Sequence, residues 1–569
     1  MHADDSMRDM AAFSVERRAD EVFSQPTSES SLQLTVKSTH TPGESGCYPL
    51  STQPTTAISC LPNDILLLVI GFMHVKDILA LRQTSKRFFS LTKLRWIWSD
   101  AVKRHIISKG LPLPAARTDI RTLSAEHLET RTIHAAKFHD NWYSKRPAPQ
   151  RAVEFLVKYP PEVGSEAPCK VSQVVFLPGR NGEFLIVVAD GIITCWEVPL
   201  DGSEAYRFAE YEDPRGNKIR QVVVNEDPTH PVQLAYFVHD DVRGTAIVCT
   251  LSLDMFHGQF RLYSSIAGSK HQCTPLYHMR GDDIVMGDPI YVWHFTAGEA
   301  AGRNAYYRLP PSPMVDSGGI VLEVRLVGQF VVSVRSFAIE LFSLPQWSPK
   351  DKSFKNARPY STFLCSEHSA AREAVIVARP QVDGGCYSWP SGPVSIIIRY
   401  SDDGFEMIKQ YDLLPNLRGQ RLGSQASSRD ELPFSFSGGY TRTMSIAPSC
   451  CGLRIGRNGK GFWVQTRNVQ KRHSVYPARC LVGFDVAYCM KEGDEGRTTG
   501  MAERTRDANG LVPPETDLHV CEAELYSRRI SMNDVMWRRY PIVAADLEDT
   551  VGRVAVGERD GKVVVLDYA

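Results

Sequence analysis

No stretch of this 569-residue chain approaches the roughly 20 apolar residues that a bilayer span requires. The N-terminus, MHADDSMRDM, lacks the basic-then-apolar order of a secretory signal. There is no C-x-x-C pair and no N-x-[ST] sequon, and the 13 cysteines are scattered and odd in number. These absences argue against a disulfide framework and for a reducing, cytosolic or nuclear compartment, with the thiols as small buried apolar groups. Net charge is missing too. With 65 basic and 65 acidic side chains, the chain is not built to hold nucleic acid by bulk electrostatics. Catalytic signatures are absent: no H-E-x-x-H, no G-x-S-x-G and no G-x-x-x-x-G-K-[ST]. The 16 histidines do not cluster at metal-ligand spacings. The expectation is a non-catalytic protein without cofactor or metal, whose partners are neither nucleic acid nor membrane.

The length suggests about two to four domains. Residues 1–58 contain 16 Ser or Thr and few large apolar residues, the composition of a disordered tail. At Leu61 the character changes. Residues 61–108 are apolar-rich and helical in period, with Pro62 and Asp64 placed as a first turn prefers and Ser85 as an N-cap before KRFF. In the first helix Ile65, Leu66, Val69, Ile70 and Met73 form one stripe, and Leu67, Leu68 and Phe72 widen it. A helix apolar nearly all round is buried on two sides, and three short helices cannot supply two cores. The surplus predicts an exposed patch that meets a partner. A further helical stretch at 124–144 places Leu128, Ala135, Phe138 and Trp142 near one face.

From about Arg151 the helical period gives way to short runs rich in Val, Ile, Tyr and Phe between Gly, Pro, Asp and Asn turns. A strand–turn–strand unit recurs seven times, in FLIVVADGIITCWEV, LAYFVHDDVRGTAIVCTL, DIVMGDPIYVWHF, FVVSVRSFAIELFSL, VSIIIRYSDDGFEMIKQYDL, LRIGRNGKGFWVQT and RVAVGERDGKVVVLDY. The turns lie near Asp190, Arg243, Asp288, Ser336, Asp403, Asn458 and Asp560. Most spacings suit the roughly 40 to 50 residues of a four-stranded blade. The chain therefore reads as multidomain, α plus all-β: helices at 59–108 and 109–150, then a seven-bladed β-propeller over 151–569. Residues 490–517 are a loop insertion, or an eighth blade is built from LVGFDVAY and LHVCEAEL. The last unit ends one strand short, and AVEFLVKY at 152–159 is its expected donor. A chain beginning near Arg146 is then expected to fold. The basic, Gly-rich run Gly456–Gly461 falls between strands and reads as a hairpin turn.

Residues 61–98 resemble the F-box, through Leu61-Pro62, Asp64, Ile65, Leu66, Ile70, Asp77-Ile78-Leu79, Leu81, Thr84-Ser85-Lys86-Arg87-Phe88 and Trp98. Asp64 stands where Glu is commoner, and Thr84-Ser85 where Val-Cys is usual. The β units resemble WD repeats more loosely, best in DGIITCWEV and DGKVVVLDY. DNWYS at 140–144 is similar to the segment that precedes the propeller in F-box/WD-repeat proteins. The resemblance implies a substrate receptor of an SCF-type (Skp, cullin, F-box) ubiquitin ligase. Leu61, Pro62, Ile65, Leu66, Ile70, Ile78, Leu79 and Leu81 would then meet the Skp adaptor and, through it, a cullin. A protein substrate would meet a propeller rim carrying Arg243, Arg335, Arg457, Lys460 and Arg559. The alternatives are an F-box scaffold acting outside the ligase and a propeller enzyme.

Overall fold

The computed structural model describes residue 58 and residues 61–569, apart from 108–110, 112, 115–119, 159–168, 241–243, 269–272, 296–304, 314–318, 345–354, 357–358, 366–370, 379–393, 403–404, 416–433, 437–441, 447–449, 472–473, 487–518 and 530–540. The expected Ser/Thr-rich tail, except Ile58, and the 490–517 insertion lie outside the described residues.

Five α-helices come first: α1 (Asn63–Gly71), α2 (Val75–Arg82), α3 (Lys86–Thr92), α4 (Arg95–Ala101) and α5 (Ala125–Trp142). Their starts follow local chemistry. The Phe88 amide donates to Ser85 Oγ at 3.2 Å, and the His127 amide to Ser124 Oγ at 3.2 Å, each satisfying an N–H that the helix leaves unpaired. Leu66, Ile70, Ile78, Phe88, Ile97 and Trp98 form the buried centre of α1–α4. The Trp98 indole donates to the Thr92 carbonyl at 2.8 Å, so this bulky core residue leaves no polar group unmet. A π-helical stretch, Val102–Ile107, continues α4.

The remaining chain makes seven sheets among the described residues, antiparallel except where Lys355–Asn356 adds in parallel to Ala305–Leu309. Blade 1 is typical, with Val171–Phe176, Phe184–Ala189, Ile192–Glu197 and Tyr206–Tyr211 paired in that order from the axis outward. VSQVVFLP and AYRFAEY thus supply the first and fourth strands of the blade, as the pattern predicts. Blade 7 holds only three consecutive strands, Ile542–Glu548, Arg553–Glu558 and Lys562–Asp567. Its fourth is Arg151–Leu156, antiparallel to the third in the register Arg151↔Asp567 through Leu156↔Lys562. The ring closes where the sequence predicts, across more than 400 residues, because closure entropy grows only slowly with loop length.

Two expectations about blade 6 are corrected. Its strands are Cys451–Ile455, Lys460–Lys471, Ser474–Asp485 and His519–Arg529. LVGFDVAY and LHVCEAEL therefore contribute the paired third and fourth strands of one blade, not an eighth. The Asn458 turn joins the first and second strands, whereas the turns at Asp190, Asp288, Ser336 and Asp560 join the second and third. The error has a physical source: LRIGRNGKGFWVQT has the same strand–turn–strand pattern in either position.

One set of contacts explains closure without the His and Trp-Asp positions of WD repeats. At every blade junction a side chain hydrogen-bonds to the neighbouring blade's backbone. Gln173 grips Val222 through both its amide groups (2.6 and 3.0 Å), and Gln221 grips Leu276 likewise (2.7 and 3.0 Å). His278 accepts from Leu326 N, Arg325 donates to Ile376 O, Glu373 accepts from Leu453 N and Asp546 accepts from Phe176 N. Asp549 accepts from Asn458 N at 2.6 Å, completing the seventh junction. Each bond satisfies a backbone or side-chain group that the packed inner strands would otherwise bury unpaired.

Candidate functional site

The helices carry more apolar surface than their own core covers. Ile65 (41%), Leu68 (57%), Val69 (43%) and Phe72 (73%) are exposed along α1, and Phe89, Leu94 and Trp96 beside it. Leu66, Ile70 and Ile78 of the expected adaptor set point instead into the helical core. Leu61, Leu79 and Leu81 are half-buried, and Pro62 is exposed. Of the expected set, then, Pro62 and Ile65 stand fully open to a partner, and Leu68, Val69 and Phe72 extend their surface. Helical spacing located the stripe but could not say which side turned inward.

Helix α5 ties these helices to the propeller. At its N-terminal end Glu129 lies 2.5 Å from Arg82 and 3.1 Å from Lys93. Burial alone would raise its pKa, but the hydrogen bonds from Arg82 and Lys93 outweigh that and hold it below the usual 4.5. At the other end Phe138 and Trp142 are fully buried in one cluster with Phe462, Leu481, Val554 and Tyr568. Asn141 Nδ2 donates to the Tyr568 carbonyl at 2.8 Å, and His134 Nε2 lies 2.9 Å from Val551 O. Gly552 is required beneath it: φ is +71°, and a Cβ there would stand 2.5 Å from the Phe138 ring.

This seat defines the two rims. In each blade the first-to-second and third-to-fourth turns open on one rim, and the second-to-third turns with the inter-blade connections on the other. Val551, Gly552 and Tyr568 belong to the first kind. The C-terminal half of α5 therefore sits on one rim, at blades 6 and 7, and leaves the other rim clear.

The five expected rim cations do not share a rim. Arg457 and Lys460 flank the Asn458 turn on the α5 side, whereas Arg335 and Arg559 flank second-to-third turns opposite; Arg243 lies outside the described residues. Arg335 is buried and bonds Glu340 at 2.7 Å. Lys460 is buried 3.2 Å from Asp485, with its ammonium 5.5 Å from the Phe138 ring and 4.9 Å from that of Tyr143. Arg559 alone of the four is exposed. Gly456–Gly461 is a hairpin turn, and a Cβ on Gly456 would meet Asp549 at 2.1 Å.

Arg457 instead reaches the axis. It donates to the Glu226 carbonyl at 3.1 Å, and the Glu226 carboxylate also takes Arg325 at 2.5 Å and His278 at 3.1 Å. Glu226 is thus a four-blade clamp joining blades 2, 3, 4 and 6. Burial opposes its charge, yet Arg325, His278 and Arg457 hold its pKa well below the carboxylate range. The axial cavity beside it has a volume of about 570 Å³ and is lined by Gln173, Gln221, Glu323, Arg454 and Asp546 among others. Burial raises Glu323 to about 7 and Asp546 to about 6. Among the described residues no group of three His, Cys, Asp or Glu is placed to hold a metal ion, and no helix is long and apolar enough to cross a membrane.

Residues 58–100 match the model of the F-box domain. The chain thus carries an F-box domain followed by a seven-bladed propeller. Comparison with curated protein sequences returns no significant match. Among solved structures, the chain is similar to the WD40 domain of SCAP from fission yeast (9% identity, 71% of this chain, 83% of that one, TM-score 0.39). It is also similar to the C-terminal WD40 domain of Sif2 (9%, 73% and 98%, TM-score 0.36), and to a chain of the mitotic checkpoint complex (10%, 74% and 94%, TM-score 0.38). The blade count rests on the strand pairing and not on these likenesses.

Proposed function

We propose that this chain is the substrate-recognition subunit of an SCF-type ubiquitin ligase. Its helical face binds a Skp-type adaptor and, through it, a cullin, while the propeller recruits a protein substrate at the rim turned away from α5. The single observation that carries this reading is the exposed row Ile65, Leu68, Val69 and Phe72, on an F-box whose core is already filled. Such a row marks a partner site. The subunit itself needs no catalytic residue: it raises the effective concentration of substrate beside a charged conjugating enzyme. Helix α5, about 27 Å long at 1.5 Å per residue, would fix the separation between the two partners. Affinity capture of the full chain under proteasome inhibition tests the reading. The adaptor and a cullin should be recovered together. Recovery of the adaptor without cullin would place the protein outside the ligase.

A further inference from the structure

The F-box match ends at residue 100, but the exposed face does not. The π-helical stretch Val102–Ile107 buries Val102 and Ile106 and turns the residues between them toward the end of α1. Arg104 lies with its guanidinium carbon 4.6 Å from the Phe72 ring, and its Nε is 2.9 Å from Asp100 Oδ2. His105 Nε2 is 2.9 Å from the Met73 carbonyl, and its ring is 5.2 Å from that of His74. Two consecutive side chains thus hold the turn 72–74. A widened i→i+5 turn is uncommon and recurs at functional positions. Gly71 packs on the other side: a Cβ there would stand 3.3 Å from Asp100 Oδ2 and 3.5 Å from the Trp96 ring. Trp96 and Phe72, half and nearly three-quarters exposed, form one apolar surface beside a cation.

The charge of the region points to what covers it. Residues 61–107 hold eight Lys or Arg against three Asp and no Glu, in a chain whose total is zero. Only Arg82 and Lys93 of the eight pair with Glu129.

We infer that Val102–Ile107 extends the docking face beyond the F-box match, with Arg104 holding Phe72 as an aromatic anchor, and that its partner is an acidic protein surface with an apolar pocket for that ring. The inference rests on the adaptor reading and identifies the partner as the adaptor itself. Arg104 is a positioning residue: stacking fixes a ring that would otherwise lose rotamer freedom on binding. Its half-exposed guanidinium then meets a carboxylate of the partner.

The test is titration of a purified Skp-type adaptor into the full chain, with melting curves confirming that each variant is folded. Phe72→Ala should weaken binding about 30-fold or more, as aromatic anchors do. Arg104→Ala should cost about threefold to tenfold, as a part-exposed cation–π contact would. Arg104→Lys should recover part of that, and Arg104→Glu should bind more weakly than Arg104→Ala, with the gap between the two narrowing in high salt. If Phe72→Ala, or Arg104→Ala together with Arg104→Glu, binds like wild type while Ile65→Asp abolishes binding, the inference is overturned and the adaptor reading stands. If Ile65→Asp also leaves binding unchanged, both fall.

Discussion

The helices and the propeller solve opposite problems. Of sixteen exposed large hydrophobic side chains among the described residues, seven lie between Ile65 and Trp96, and the whole propeller has eight. The propeller buries its apolar faces between blades and turns polar groups to its axis, where Gln173, Gln221 and Glu226 bond the neighbouring blades. Its closure is internal. The helical region has a core too small for its apolar content and leaves the surplus exposed. The difference separates a part that buries its apolar residues within itself from one that leaves them open to contact.

The most damaging change to this division is at the joint. Trp142→Ala should cost about 3–5 kcal/mol, the usual range for a buried Trp, and should split one melting transition into two by freeing the helices from blades 6 and 7; calorimetry reads both. Glu129→Ala should cost about 2–4 kcal/mol, because Arg82 would stay buried without its carboxylate. Added to Trp142→Ala, that loss should appear in the separated helical transition alone, monitored by circular dichroism. Gln221→Ala removes two hydrogen bonds at one blade junction and should lower propeller stability by about 1–3 kcal/mol without touching the helices; urea unfolding followed by tryptophan fluorescence checks it.

The smallest effect is a pH dependence. Glu323 has no hydrogen-bond or ion-pair partner among the described residues, and its folded pKa, raised by burial from 4.5 to about 7, means that the native state holds its proton longer than the unfolded chain. Its protonated form is tolerated at no cost below about pH 4.5, and stability is lost as pH rises through 7. Glu323→Gln should therefore raise the melting temperature at pH 8, change little at pH 4.5, and flatten the stability curve between those values. An equal shift at both pH values would contradict it.

Much of the fold was legible because it rests on short-range pattern. Ser85 announced a helix start, the face of Leu128, Ala135, Phe138 and Trp142 proved to be buried, and the missing strand of RVAVGERDGKVVVLDY led to Arg151–Leu156. What was hidden depends on position in space. The Asn458 turn has the same local pattern as its counterparts, so nothing in LRIGRNGKGFWVQT assigns it to the opposite rim. Arg335 and Lys460 look like surface cations until their partners Glu340 and Asp485, distant or adjacent in sequence, are brought against them. Phe138 and Trp142, upstream of Arg146, pack into the core of blades 6 and 7, a contact that no local pattern announces. The junction bonds do have a sequence signal: a Gln, His or Glu recurs at the third position of several inner strands, as in VSQVVF, IRQVVV, LYHMR and AREAVIVA.

The central claim is that the exposed face of α1 exists for an adaptor. Ile65 and Leu68 are the residues to change, because both are exposed, whereas a charge at Leu66 would enter the helical core. The measurement is adaptor affinity by calorimetry for the full chain carrying Ile65→Asp and Leu68→Asp together. Burying two unpaired carboxylates in an apolar contact costs several kcal/mol, so binding should weaken by at least a hundredfold, about 2.7 kcal/mol, while the melting temperature of the propeller stays unchanged. Wild-type affinity in the folded double variant would contradict the account.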